Sequence, residues 1–324
     1  METTFERASP PAIVAGDTPD LSVHLGSLAL ANPVMPASGC FGPELAPLLD
    51  LGSLGAVVTK TVFSDRRAGN QAHRLTETSY GMLNSVGIPS PGSKDFRHGL
   101  LRRYQDIGVP VIVSIGGLFI DEYWAVAEEL ADEDIAAYEV NVSCPNLEHG
   151  GLAIGTSPEL VATVVAGVVE RAPYPIMVKL TPTVTSIEDV AIAAQEAGAA
   201  AVTVSNSFSG LAIDANSRTS VLGNGGGGLT GPAIKPLALR LVRDAAKAVR
   251  IPVVGCGGIT TAQDVAEFLI AGATAVQIGT ATFTRPFAMA EVLADLPKLC
   301  HQLGVSRITE LTGTLDSPTP VRSE

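Results

Sequence analysis

Residues 139–151, EVNVSCPNLEHGG, crowd two asparagines, a serine and a cysteine onto the end of a run that otherwise reads as a buried strand. Unpaired polar groups are costly in such a place, so a bound ligand is the natural partner for them. The amides of Asn141 and Asn146 offer donors and acceptors together, which suits a ligand with carbonyl and N–H edges, such as a pyrimidine ring. A buried cysteine is ordinarily an inert small hydrophobe. Set between two asparagines, Cys144 becomes a candidate for the chemistry itself.

Two lysines raise a similar question. Lys60 closes the run GAVVTK and Lys179 sits near the end of PIMVKL. Each either snorkels outward or meets a ligand anion that offsets its buried charge. Two glycine-rich turns, GCGGIT around Gly257 and Gly258 and QIGTAT around Gly279 and Thr280, have backbone N–H groups available for a phosphate. The run GNGGGG at 223–228 lacks the Lys-Ser or Lys-Thr of a phosphate loop and reads as flexible loop.

The elements that must position these residues follow from an alternation of short apolar runs with longer amphipathic segments, the mark of a parallel sheet with crossover helices. Strands are predicted at 32–38, 55–60, 110–116, 137–143, 175–180, 201–206, 252–257 and 275–280, which makes eight strand-helix units and a (β/α)8 TIM barrel. Helices are predicted from Asp121, from the cap Ser157 with Pro158, and up to Gly272. LSVHLGSLAL reads as an N-terminal β-hairpin plugging the barrel bottom, and 62–98 and 207–232 are long insertions after strands 2 and 6, of the kind that carry function. In this fold chemistry lies at the C-terminal strand ends, and phosphate binds after strands 7 and 8. That filter collects Ser38, Gly39, Lys60, Asn141, Cys144, Asn146, Lys179, Asn206, Ser207, Gly257, Gly258, Gly279 and Thr280 at one mouth.

Composition narrows the function classes. With 324 residues, 46% hydrophobic, the chain supports a large core, and its net charge of -12 argues against a nucleic-acid partner. Four isolated cysteines and five scattered histidines, His149 among them, suggest neither disulfides, a metal site nor an iron-sulfur site. A reducing cytoplasm fits this cysteine usage. Residues 1–20 read as a flexible leader too weakly apolar for a membrane anchor, 21–305 as the barrel, and 306–324 as a flexible tail.

On ASGCFG (37–42), GMLNSVG (81–87), NVSCPN (141–146), GGLTGPAIKP (227–236) and CGGI (256–259), the chain resembles the dihydroorotate dehydrogenases from about Leu21 to Leu299. The resemblance implies FMN as cofactor and oxidation of (S)-dihydroorotate to orotate in pyrimidine biosynthesis, with Cys144 as general base. It places Asn84, Ser85, Val86, Gly87, Ile88, Asn141, Asn146, Asn206 and Ser207 against substrate, and Lys60 between substrate and flavin. It also implies Ser38, Gly39, Thr61, Asn141 and Ser205 around the flavin, Lys179 near its N1 edge, and Gly231, Gly257, Gly258, Gly279 and Thr280 around its phosphate. A cationic group there stabilises the anionic reduced flavin. Ser90 departs from the family, whose members generally carry asparagine at that position.

Cysteine in NVSCPN resembles the soluble class 1 enzymes, and SCPNLEHGG with GPAIKP resembles their NAD-linked group. That implies a catalytic-subunit homodimer working with a separate subunit that carries FAD and a [2Fe-2S] cluster. The chain itself has no cysteine cluster and no G-x-G-x-x-G opening a helix after a strand. The rival readings are a dihydropyrimidine dehydrogenase-like FMN barrel, disfavoured because histidine is expected there in place of Asn146, a fumarate-dependent class 1A enzyme, and a flavin-free barrel that binds a phosphorylated ligand or serves in an assembly.

Overall fold

The computed structural model describes residues 18–46, 50–143 and 154–316. Eight parallel strands form the centre: β1 (Val34–Pro36), β2 (Val57–Val58), β3 (Val111–Ile115), β4 (Ala137–Asn141), β5 (Ile176–Lys179), β6 (Ala201–Val204), β7 (Val253–Cys256) and β8 (Ala275–Ile278). Their residues are buried throughout, which is why they read as unbroken apolar runs instead of alternating ones. From β2 to β8 each strand pairs with the next in sequence, and β8 pairs with β1. The last gap is drawn together by the Gly55 amide donating to the Val34 carbonyl at 3.0 Å. This is the predicted TIM barrel.

A ring of helices covers it. The principal ones are α1 (Ile120–Glu129), α2 (Pro158–Arg171), α3 (Ile187–Glu196), α4 (Lys235–Ala248), α5 (Ala262–Ala271) and α6 (Ala288–Leu303), each packed on the next. Their ends follow local chemistry. The Ser157 hydroxyl accepts from the Leu160 amide with Pro158 in the first turn, and Thr261 and Asp264 form a reciprocal capping box at the start of α5. Gly272, at φ 120°, ends that helix. Among the described residues no helix is long and apolar enough to cross a membrane.

Strands Val23–Leu25 and Leu28–Leu30 form the expected hairpin, with Val23, Leu25 and Leu30 buried. Its turn at Gly26 lies against Ala200, just ahead of β6, and so at the N-terminal end of the barrel. Residues 306–316, read from the sequence as the start of a frayed tail, are folded. Ile308 and Leu311 are buried in a short turn, Ile308 N donates to Asp20 O, and Gly313 N donates to Leu269 O. A single turn with two buried apolar residues is too brief to show a period. Residues 1–17 and 317–324 lie outside the described residues.

The two insertions meet. Leu75–Thr78 and Gly81–Asn84 from the first, and Phe208–Gly210 and Gly227–Thr230 from the second, make one antiparallel four-stranded sheet with Asn84 opposite Gly228. Gly227 and Gly228, read from the sequence as flexible loop, are strand residues in it. A Cβ at Gly228 would lie 2.1 Å from the Ser207 hydroxyl, so the glycine answers a close approach.

Candidate functional site

An open cleft of about 1200 Å³, counted out to its mouth, lies at the C-terminal ends of the strands. The barrel contributes Ser38 and Gly39 after β1, Lys60 and Thr61 after β2, Asn141 at the end of β4, Lys179 at the end of β5, and Asn206 and Ser207 after β6. Gly257 and Gly258 after β7 and Gly279 and Thr280 after β8 complete the ring. The joined insertions add Asn84, Val86, Gly87, Ile88 and Gly231. Ser85 and Ser205 are fully buried behind the wall and do not line it. The Ser85 hydroxyl accepts from Asn70, and that of Ser205 donates to the Asn206 carbonyl. Cys144, Asn146 and His149 lie outside the described residues.

One wall is a continuous chain of neutral hydrogen bonds. Asn206 Nδ2 donates to Ser143 Oγ at 2.6 Å, and Ser143 Oγ donates to Asn141 Oδ1 at 2.6 Å. Asn141 Nδ2 donates to Thr61 Oγ1 at 3.1 Å, and Thr61 in turn pairs with Ser114 at 2.9 Å. Opposite, Asn84 Nδ2 donates to the Gly228 carbonyl at 3.1 Å. Below these, Ile88 holds φ +44°, an uncommon conformation for a β-branched residue. The buried Ser90 hydroxyl accepts from the Phe63 and Gly92 amides and ties the insertion to the strand end.

The floor carries charge. Lys179, 3% exposed, donates to Gln277 Oε1 at 2.7 Å and lies 3.8 Å from the Cys256 sulfur. Burial works against its ammonium, but the Cys256 sulfur and the Glu139 carboxylate more than offset this and hold its pKa above the ordinary lysine value. Burial also pushes the Cys40 and Cys256 thiols up, against the pull of Lys179. Lys60 lies across the cleft against Gly39.

The far end is bare backbone. Gly258 holds φ +78°, and a Cβ there would meet the Lys235 amide nitrogen at 2.8 Å and the Gly231 carbonyl at 2.9 Å. The β7 loop and the turn leading into α4 thus converge at main-chain distance, leaving a cradle that a side chain would fill.

A family model described as dihydroorotate dehydrogenase matches residues 20–300. This chain belongs to the dihydroorotate dehydrogenase family. It is 42% identical over 296 residues to the catalytic subunit of dihydroorotate dehydrogenase B (NAD(+)) of Halalkalibacterium halodurans, covering 90% of this chain and 97% of that protein. The subunit of the same name from Desulforudis audaxviator is 47% identical over 295 residues, covering 90% and 96%. That of Geobacillus kaustophilus is 43% identical over 296 residues, covering 90% and 95%. Sequence reasoning passed over Cys40, Cys256, Met82, Thr230 and Phe283, which also line the cleft. It also missed Glu139 and Gln277 beneath it. A filter for polar groups at strand ends does not register sulfur or apolar residues, and the two buried polar residues stand inside strands, where periodicity reads only burial.

Proposed function

We propose that the cleft binds FMN together with (S)-dihydroorotate and that the chain is a catalytic subunit that oxidises this substrate to orotate in pyrimidine biosynthesis. The single observation that carries the reading is one cleft with a neutral amide wall, a cationic floor and a glycine cradle at the β7 and β8 loops. FMN fits this division. The cradle of Gly231, Gly257, Gly258, Gly279 and Thr280 would hold its phosphate by main-chain groups. Ser38, Gly39, Thr61 and Lys179 would border its ring. When bound, FMN supplies a two-electron acceptor for the hydride leaving C6 of the substrate.

The chain's own residues do the rest. Asn84, Asn141, Asn206 and Ser207, with Asn146, hold the pyrimidine edges. Cys144 removes the C5 proton as general base. Lys60 would stand between the two ligands. The NAD-linked names of the relatives favour NAD over fumarate as final acceptor, reached through a separate FAD and [2Fe-2S] subunit docked on a catalytic-subunit homodimer.

The test is spectroscopic. The purified chain shows flavin absorbance, and anaerobic dihydroorotate bleaches it. A chain without flavin overturns the reading, and bleaching by a dihydropyrimidine but not by dihydroorotate moves it to the dihydropyrimidine dehydrogenase-like alternative.

A further inference from the structure

We infer that Glu139 is a positioning residue, which acts through Gln277 to fix the Lys179 ammonium at the floor of the cleft. The inference rests on the flavin reading above and gives a part to Glu139 and Gln277, which that reading leaves without one.

Glu139 lies in β4, two residues ahead of Asn141, fully buried inside the barrel. Its Oε2 accepts from Gln277 Nε2 and from Thr203 Oγ1, the latter at 3.1 Å. Among the described residues its Oε1 has no hydrogen-bond partner. A carboxylate so deep with one oxygen unsatisfied lowers stability. Packing gives no reason for it, since its strand neighbours Tyr138 and Val140 are ordinary buried residues.

The reason lies in the asymmetry of Gln277. A glutamine amide has a donor end and an acceptor end, and its surroundings choose which way it faces. A carboxylate only accepts, so it takes the Nε2 end and leaves Oε1 for the Lys179 ammonium at 2.7 Å. Replace Glu139 by a group that both donates and accepts, and the ammonium alone is left to set the amide, without a fixed acceptor at its other end. In its other orientation Gln277 points its N–H groups at the ammonium. After the Cys256 sulfur, the Glu139 carboxylate is the next group that favours the charged form of the buried lysine. Glu139 itself does not line the cleft. Its influence on anything bound there passes through Gln277 and Lys179.

The experiment compares Glu139→Gln, Gln277→Met and Lys179→Met with the wild-type holoenzyme by flavin content, thermal unfolding and the two-electron reduction potential of the bound flavin. Glu139→Gln is expected to keep its flavin, to melt no lower than wild type, and to shift the potential negative in the same direction as Lys179→Met. The expected size is about tenfold in the ratio of reduced to oxidised flavin, about 30 mV for a two-electron couple. Gln277→Met is expected to shift it likewise, and the pair Glu139→Gln with Lys179→Met no further than Lys179→Met alone. An unchanged potential in a flavin-loaded Glu139→Gln variant, or a lowered melting temperature with no shift, overturns the inference. So do shifts that add in the double variant. Should Glu139→Gln not fold, Gln277→Met decides by the same potential. A wild-type chain without flavin overturns the functional reading and this inference together. Wild type bleached by dihydroorotate beside a Glu139→Gln variant of unchanged potential overturns this one alone.

Discussion

Gly39→Ala tests whether Lys60 is placed by the bare backbone opposite it. Gly39 holds φ +73°, and a Cβ built there lies 2.2 Å from Lys60 Cδ and 2.8 Å from its Nζ. Ordinary contact begins at about 3.5 Å, so the lysine stem must retreat by about 1.3 Å. The backbone adds a separate cost, about 1 kcal/mol for alanine in the left-handed region. A displacement of this size in a positioned group lowers turnover by about 10²-fold. The assay is dihydroorotate-driven dye reduction, with flavin content and thermal unfolding measured on the same preparations. Expected are a folded, flavin-loaded variant with melting lowered by a few degrees and turnover down about 10²-fold. In a Lys60→Ala background the new methyl meets no lysine stem, so Gly39→Ala should add the stability cost but no further loss of turnover. Wild-type turnover in Gly39→Ala, or a full second loss in the Lys60→Ala background, would refute the argument.

Cys144→Ala is expected to keep its flavin while turnover falls about 10²- to 10⁴-fold, the ordinary worth of a positioned base, checked by the same dye assay. Asp264 is opposed by its own burial, yet hydrogen bonds from Lys235, Thr260 and Thr261 hold its pKa below the ordinary 3.8. Its stabilising contribution is therefore complete above that value and lost as pH falls through the lower folded one. Asp264→Asn should cost about 1–2 kcal/mol at neutral pH through the lost ion pair with Lys235 and the loss of charge from the capping bonds. Thermal melts of the variant across pH should lack the part of the acid decline, below about pH 4, that this carboxylate supplies. The isolated chain should reduce dyes with dihydroorotate but not NAD, and an added FAD and iron-sulfur subunit should restore NAD reduction. Efficient NAD reduction by the chain alone would remove the need for that partner, and efficient fumarate reduction would favour the class 1A reading.

All eight barrel strands stand within two residues of the apolar runs that predict them, because a strand buried on both faces leaves a local trace in composition. Helix ends were legible for the same reason: Ser157, Pro158 and Gly272 act within a turn. What stayed hidden depends on distant partners. The pairing of 81–84 with 227–230 joins insertions far apart in the chain, and a glycine run such as 223–228 carries no side-chain period to announce a strand. The hydrogen bonds linking Glu139, Gln277 and Thr203 join β4, β8 and β6, and no window along the sequence contains all three.

The polar residues of the cleft wall are only partly left for a ligand. Asn141 spends one amide hydrogen on Thr61 and its carbonyl on Ser143, and Asn206 spends one hydrogen on Ser143 and its carbonyl on the Ser207 amide. Asn84 spends one hydrogen on Gly228. An asparagine amide has two such hydrogens, so at each position one end is anchored in the protein and at least one donor remains. The protein network relieves much of the burial cost of the buried Asn141 and Ser143 and fixes the amide planes before anything binds. A ligand then meets donors already aimed, and forfeits little to order them. The strand end is polar for two reasons at once: part of its hydrogen bonding holds the wall rigid, and the remainder is what the wall presents.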